Sequence, residues 1–357
     1  MIPFAPIASF ITAFLITFFS IPAIIRLSLV KRLYDKPDNR KQHKQRISPL
    51  GGIAIFGGML MSFVFFSSGL VNPKLNSLLV ALFVLFITGV KDDLFPLTPY
   101  KKFLGQILAI GILVFQGDVR LESLYGLYNI GVLPYWTSVS ISILFFLGIV
   151  NSFNFIDGIN GLSSGLGLVV SLTYAFWFSH FGEHLFLILA LSNAGAQLAF
   201  LRYNLFNAKI FMGDSGSMIL GFLNAAMTIY FLQANERFIN PELLHIDALV
   251  FASAVLVIPV ADTLRVIFYR VFVLRVSPLH ADRNHIHHLL LDIGFTQLKA
   301  TLLLVFFSVL FTFFAYYMND YFRAKYLLIL VYGLAFALAQ IPQSIKRKQI
   351  KLGEVVE

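Results

Sequence analysis

Apolar runs long enough to cross a bilayer follow one another along almost the whole chain, and few folds can accommodate that. Charge-poor windows and their polar breaks mark eleven candidate spans, at roughly 4–30, 50–70, 75–91, 102–117, 134–152, 160–179, 184–201, 216–233, 247–269, 298–317 and 326–342. About twenty residues rising about 1.5 Å each match a hydrocarbon core of about 30 Å, and a helix satisfies its backbone groups within its own segment. The expectation is an all-α, polytopic integral membrane protein with about eleven transmembrane helices, forming one domain over residues 1–357. Composition agrees, with 58% hydrophobic residues, 39 Phe and a mean hydropathy of +0.80, which excludes a soluble domain. Zero cysteines exclude disulfide and thiol chemistry. The first apolar run, Pro3 to Val30, lacks a preceding basic stretch and a small-residue cleavage site, so it reads as a span and not as a removed signal.

An odd number of spans puts the termini on opposite sides. Of the 27 Lys and Arg, only Lys74, Arg120, Arg237, Arg323 and Lys325 fall on one side, and all the others share the side of the first loop. Positive-inside bias then places the N-terminus outside and the tail with Lys346, Arg347, Lys348 and Lys351 in the cytoplasm. The net charge of +9 is juxtamembrane, as topology and anionic lipid require, so nucleic acid is not an expected partner.

Between Glu122 and Glu183 the only charged side chain is Asp157, in the string NSFNFIDGINGL that runs from Asn151 to Leu162. A carboxylate beside lipid costs roughly 2.5 to 3.5 kcal/mol, so one kept between two apolar runs with asparagines nearby is expected to face a polar cavity; capping of the next helix is the plainer alternative. Four further polar segments fall on the same, basic side. The first loop, Lys31 to Pro49, carries His43 and leads into Gly51, Gly52, Gly57 and Gly58, glycines that suit close helix packing. VKDDLFPLTPYKKFLGQ sets Asp92 and Asp93 before Lys101 and Lys102, a combination suited to a hydrated Mg²⁺ and a phosphorylated substrate. YNLFNAKIFMGDSGSMILG holds Asp214 at the start of an apolar run, where it or Ser215 could cap the helix. The last segment carries Asp262, Arg265, Arg270, Arg275, Asp282 and Arg283 before His285, His287 and His288; its spacing fits no zinc motif, and arginine and histidine donors suit phosphate better. Loops converging on one face favour an enzyme joining a water-soluble to a membrane-embedded substrate over a transporter, which buries its ionisable groups near the midplane.

With these residues in order, the chain resembles the polyprenyl-phosphate N-acetylhexosamine-1-phosphate transferase family, of the glycosyltransferase 4 type, and within it the bacterial undecaprenyl-phosphate N-acetylglucosamine-1-phosphate transferases. The likeness runs from the D-x-P-x-x-R-K-x-H loop at Asp35 to His43, through Asp92-Asp93, the N-x-x-N-x-x-D-G motif at Asn151, Asn154 and Asp157, and F-M-G-D-x-G-S at Phe211 to Ser217, to H-I-H-H at His285 to His288. It implies transfer of N-acetylglucosamine-1-phosphate from UDP-N-acetylglucosamine to undecaprenyl phosphate, giving UMP, on the cytoplasmic face of a bacterial inner membrane. It implies Mg²⁺, with Mn²⁺ as a substitute, held by Asp214 and Asn154. It also implies a catalytic set of Asp92, Asp93, Asp157, Asp214 and His287, with substrate contacts from His43, Lys102, Asn151, Asn160, Arg270, His285 and His288. The expected partners are the UDP-sugar, the lipid, the membrane and a second copy as a homodimer. The H-I-H-H form resembles the N-acetylglucosamine branch, while another UDP-N-acetylhexosamine, a 6-deoxy sugar or the muramoyl pentapeptide, is the alternative donor. Asn160 stands where many bacterial relatives have a second aspartate, so an ionised acid is not required there.

Overall fold

A computed structural model of the chain describes residues 4–34, 47–67, 73–125, 127, 130–238, 246–277 and 282–351. Among them the chain is helical throughout, apart from turns and two isolated bridges, Ser48 to Ile210 and Ser123 to Val132. The helices are α1 (Ala5–Lys31), α2 (Gly51–Phe66), α3 (Pro73–Leu94), α4 (Pro99–Gly111), α5 (Tyr135–Ile156), α6 (Leu162–His180), α7 (His184–Asn204), α8 (Gly213–Arg237), α9 (Ala248–Val255), α10 (Val257–Phe268), α11 (Ile286–Asp292), α12 (Gln297–Met318) and α13 (Ala324–Lys351). Short π-helical stretches, Ile112–Gln116 and Tyr269–Leu274, continue α4 and α10.

Each of the eleven windows read from the sequence overlaps a helix among the described residues. Eight helices, α1, α3, α5, α6, α7, α8, α12 and α13, are long and apolar enough to cross a membrane on their own, and the α9–α10 pair, bent by 76°, would make a ninth. The difference lies in α2, whose 16 residues reach only about 24 Å, and in α4, which has 13 residues before its π-helical continuation. The bend has a local cause. Pro259, in the first turn of α10, has no N–H for the carbonyl of Val255, and Val255 is where α9 stops.

Lipid tails are as apolar as leucine, so small residues, not large ones, decide which helices touch. On α1 the buried positions Ala5, Ser9, Ala13, Thr17 and Ile21 recur every fourth residue and face α2 and α7. Contact there is backbone-close: a Cβ on Gly58 would lie 2.1 Å from the Thr17 hydroxyl, and one on Gly195 would lie 2.2 Å from the Phe10 carbonyl. Of the four glycines that follow the first loop, Gly51, Gly52 and Gly58 serve such packing, whereas Gly57 faces open space.

Helix α8 is the axis of the bundle. Its whole apolar window is buried, against 22% for α1 and α13, and α2, α3, α5, α6 and α9 all pack on it. The outer helices instead expose Phe19, Phe65, Ile87, Trp136 and Phe306, the apolar surface that hydrocarbon requires. At one end of the bundle the start of α8 meets the ends of α3, α5 and α7, and the site is built there.

Candidate active site

A cavity of about 590 Å³ opens at this end, with Asp92, Asp93, Asn154, Asp157, Asn160, Asp214 and His288 in its wall. Four of the five polar segments singled out in the sequence therefore converge. Of the first loop, the described part reaches the cavity at Pro49, while His43 and Asp35 lie outside the described residues. Backbone pairing places that loop end: Phe211 N–H donates to Ser48 O (2.8 Å), and Gly51 and Gly52 N–H donate to Phe211 O (2.9 Å) and Met212 O (2.8 Å).

Asp214 occupies the first turn of α8, where the helix dipole favours an anion. Its Oδ1 accepts hydrogen bonds from Lys102 Nζ (2.5 Å) and from Asn154 Nδ2 (2.5 Å), and the same amide donates to Ser217 Oγ (2.9 Å). Lys102 also lies 3.2 Å from Asp92 Oδ2, while Asp92 Oδ1 accepts the Leu97 N–H (2.6 Å) and so caps the turn into α4. Asp93 turns the other way: its oxygens accept the backbone N–H of Asp214 (2.6 Å) and both the N–H (3.1 Å) and the hydroxyl (2.6 Å) of Ser215.

Asp157 follows the last residue of α5 on the far wall, without a hydrogen-bond donor among the described residues. Burial, with Asp214 and Asp93 as the next charges, pushes its carboxyl well above the usual carboxylate range. Gly158 beside it is packed against His287, since a Cβ there would lie 2.2 Å from Nε2. His287 is fully buried and neither ring nitrogen has a partner among the described residues; burial, then the neighbouring His288, pushes its pKa down to about 3, so the ring is neutral. His288 reaches the cavity, its pKa also lowered by burial and then by Arg283.

Several expected substrate contacts have protein partners in this structure. Asp262 takes His285 Nδ1 (2.8 Å), Arg265 (2.8 Å) and the Ile286 N–H (2.9 Å), pinning the start of α11 to α10. The Arg270 guanidinium grips Asp282 through two bonds of 2.9 Å. Burial alone would raise the Asp282 carboxyl, but that fork together with the backbone and side-chain hydrogen bonds from Asn284 outweighs it and holds it at about 2. Asn151 pairs with Gln106 of α4 (3.1 Å) and the Leu147 carbonyl (2.8 Å), outside the cavity wall. Asn160 does line the cavity, with its backbone held by Gln297 (3.2 Å) and Thr301 (2.8 Å) and its side-chain Oδ1 unpartnered among the described residues.

Sequence reasoning gave no role to Asp262, Asn204 or Ser217. The i, i+3 spacing of Asp262 and Arg265 is a readable helical pair; Asn204, which ties the Gly161 N–H (2.5 Å) to the Ile210 carbonyl (2.8 Å), gives no sequence signal. As a metal site the wall offers oxygen donors: Asp214, Asn154 and Asp92. Among the described residues no group of three or more His, Cys, Asp and Glu side chains could hold an ion alone. A few hard oxygens beside room for phosphate fit Mg²⁺, which keeps waters and shares its shell with substrate.

The chain is also similar to known proteins. The chain is 32% identical over 314 residues to the decaprenyl-phosphate N-acetylglucosaminephosphotransferase of Mycolicibacterium smegmatis, covering 82% of this chain and 77% of that one. It is 29% identical over 313 residues to the probable undecaprenyl-phosphate N-acetylglucosaminyl 1-phosphate transferase of Bacillus subtilis, covering 86% and 83%. Against the undecaprenyl-phosphate alpha-N-acetylglucosaminyl 1-phosphate transferase of Salmonella typhimurium the identity is 28% over 307 residues, covering 84% and 80%. The family model for glycosyl transferase family 4 matches residues 75–232. That stretch holds Asp92, Asp93, Lys102, Asn154, Asp157 and Asp214, and with the 32% identity to the Mycolicibacterium smegmatis protein over 82% of this chain it shows that the chain belongs to glycosyl transferase family 4.

Proposed function

We propose that this protein transfers N-acetylglucosamine-1-phosphate from UDP-N-acetylglucosamine to undecaprenyl phosphate, releasing UMP. The observation that carries the reading is the meeting of Asp92, Asp214 and Asn154 on one cavity, with Lys102 paired to both acids, at the end of an apolar helical bundle where a soluble diphosphate and a lipid phosphate can both arrive. The names of the relatives support the sugar and the acceptor; the decaprenyl relatives leave chain length to be measured.

An oxygen of the lipid phosphate attacks the β-phosphorus, a new P–O bond forms, and the bond from that phosphorus to the bridging oxygen breaks as UMP leaves in line. A phosphate monoester has a second pKa of about 6, so the nucleophile is already mostly dianionic at neutral pH and needs little help from a base. The larger task is to bring two anions together. Arg283 at the wall and Lys102, paired with the wall acids Asp92 and Asp214, are the cations for that purpose, and neutral His288 can donate a hydrogen bond to phosphate or sugar. Asp214 and Asn154 would hold Mg²⁺, which when bound neutralises diphosphate charge and stabilises the leaving phosphate. The bias of basic residues supports a cytoplasm-facing cavity in a bacterial inner membrane, with eleven crossings and the C-terminus inside. Single cysteines added to this cysteine-free chain, labelled from either side, test that topology, and light scattering tests the homodimer.

The decisive assay incubates purified protein with Mg²⁺, undecaprenyl phosphate and a panel of UDP-sugars. UMP release from UDP-N-acetylglucosamine is the expected result. Release from none of the sugars would sink the enzyme reading, and release only from a 6-deoxy sugar or the muramoyl pentapeptide would reassign the donor.

A further inference from the structure

The first turn of α8 has backbone N–H groups with no acceptor inside the helix, and its N-cap residue, Met212, supplies no side-chain acceptor. The acceptor comes from another helix. Asp93, at the end of α3, receives the N–H groups of Asp214 and Ser215 and the Ser215 hydroxyl, three bonds that occupy most of the roughly four lone-pair sites of a carboxylate. Two glycines make this approach feasible. Gly213 has φ +70°, and a Cβ there would lie 2.6 Å from Asp93 Oδ1 and 2.0 Å from the Pro49 carbonyl. Gly89, one turn before Asp93, lets α3 lie on α8, since a Cβ there would lie 2.4 Å from Ser215 Cα.

We propose that Asp93 is a positioning residue and neither base nor metal ligand: it caps α8 from the neighbouring helix and so aims the Asp214 carboxylate at Lys102 and Asn154. An acid at the C-terminal end of α3 is unfavourable by that helix's dipole, and the N-terminus of α8 reverses the sign. To act as a base Asp93 would have to leave three donors, two of them backbone groups with no other acceptor in their helix. Adjacent acids thus divide the work: both line the cavity, but Asp92 pairs with Lys102 while the Asp93 oxygens are taken by the donors of α8.

The test compares Asp93→Asn, Asp93→Ala and Ser215→Ala by hydrogen exchange over Phe211 to Ser217 and by UMP release across pH. Only the kinetic arm rests on the transferase reading: if the wild type releases no UMP that reading fails, and exchange alone still decides whether Asp93 caps the helix. Asparagine keeps a carbonyl acceptor but cannot take a proton. We expect Asp93→Asn to keep the amides protected, to retain turnover within about tenfold of wild type and to leave the acid limb of the pH profile in place. For Asp93→Ala we expect amide exchange to accelerate at least about tenfold and turnover to fall about 100-fold, and for Ser215→Ala a small change in both. Losing a general base costs about 10²–10⁴-fold, so an Asn variant with wild-type exchange and a loss in that range would overturn the proposal. So would rapid exchange with undiminished turnover. If the alanine variant does not fold, the asparagine variant decides between these outcomes.

Discussion

Two buried charge clusters lie around the cavity, and they are built on opposite terms. Around α11 every buried charge has its match: Asp262 is held by Arg265 and His285, and Asp282 by Arg270. At the start of α8, four acids, Asp92, Asp93, Asp157 and Asp214, line the cavity, and Lys102 pairs with two of them, Asp92 and Asp214. Removing one partner of a finished buried pair strands a charge in low dielectric, whereas an acid-rich wall is stabilised by any cation that arrives. On the function proposed above, the first cluster is scaffold and the second is equipment for phosphate and metal.

Substitution should split the two by readout. The largest effect is expected at Asp214→Ala: turnover falls by at least about 10²–10³-fold and added Mg²⁺ does not restore it, while the melting temperature in detergent stays near wild type. Near-normal activity would remove Asp214 from the metal site. Asp262→Ala should show the reverse order of damage, with a loss of roughly 3–5 kcal/mol as Arg265 and His285 lose their acceptor, read as a lower melting temperature and aggregation on size exclusion. A stable but inactive Asp262→Ala would mean that Asp262 belongs to the reacting wall.

The same division explains what could be read in the sequence. Helix positions follow from apolar windows because lipid imposes length and leaves little else to choose, and the motif residues stand out because charge is rare there. Orientation did not follow. Asp92 and Asp93 are indistinguishable as neighbours in a string, and only the crossing of α3 over α8 gives one to Lys102 and the other to the start of α8. Arg270 reads as a phosphate contact in isolation, but Asp282, 12 residues on, takes its fork. The form of each apolar segment is harder to read: composition registers that α2 and the α9–α10 pair are apolar, but not that one is a helix of 16 residues and the other bends by 76°.

A smaller, pH-dependent effect is expected at the Arg270 pair. The folded pKa of Asp282 is about 2 against an ordinary 3.8, so the stability it contributes is present above 3.8 and is lost as pH falls through about 2. Arg270→Gln should lower the melting temperature at neutral pH, and the gap from wild type should narrow as pH drops through that window. A gap independent of pH would show that Arg270 acts by packing alone.

The smallest expected change in stability, and the one that most directly probes the acid-rich wall, is at Asp157. Its folded pKa is raised above 3.8 by burial, with Asp214 and Asp93 adding to the effect, so the sign is opposite to that of Asp282. Its contribution to stability is complete below 3.8 and declines as pH rises through the folded value, because the buried form must give up a proton that the unfolded chain has already released. Asparagine has no proton to lose. Asp157→Asn should therefore melt at or above the wild-type temperature at about pH 7.5, and the difference should vanish near pH 4. Since the amide keeps the size and polarity of the acid, a wall residue that positions substrate should retain turnover within about tenfold, whereas one that must ionise during the reaction should lose about 10²–10⁴-fold. A lower melting temperature for Asp157→Asn at pH 7.5 would mean that the acid is ionised and paired in the resting protein, which would place it with Asp262 and Asp282 in the scaffold and not with Asp214.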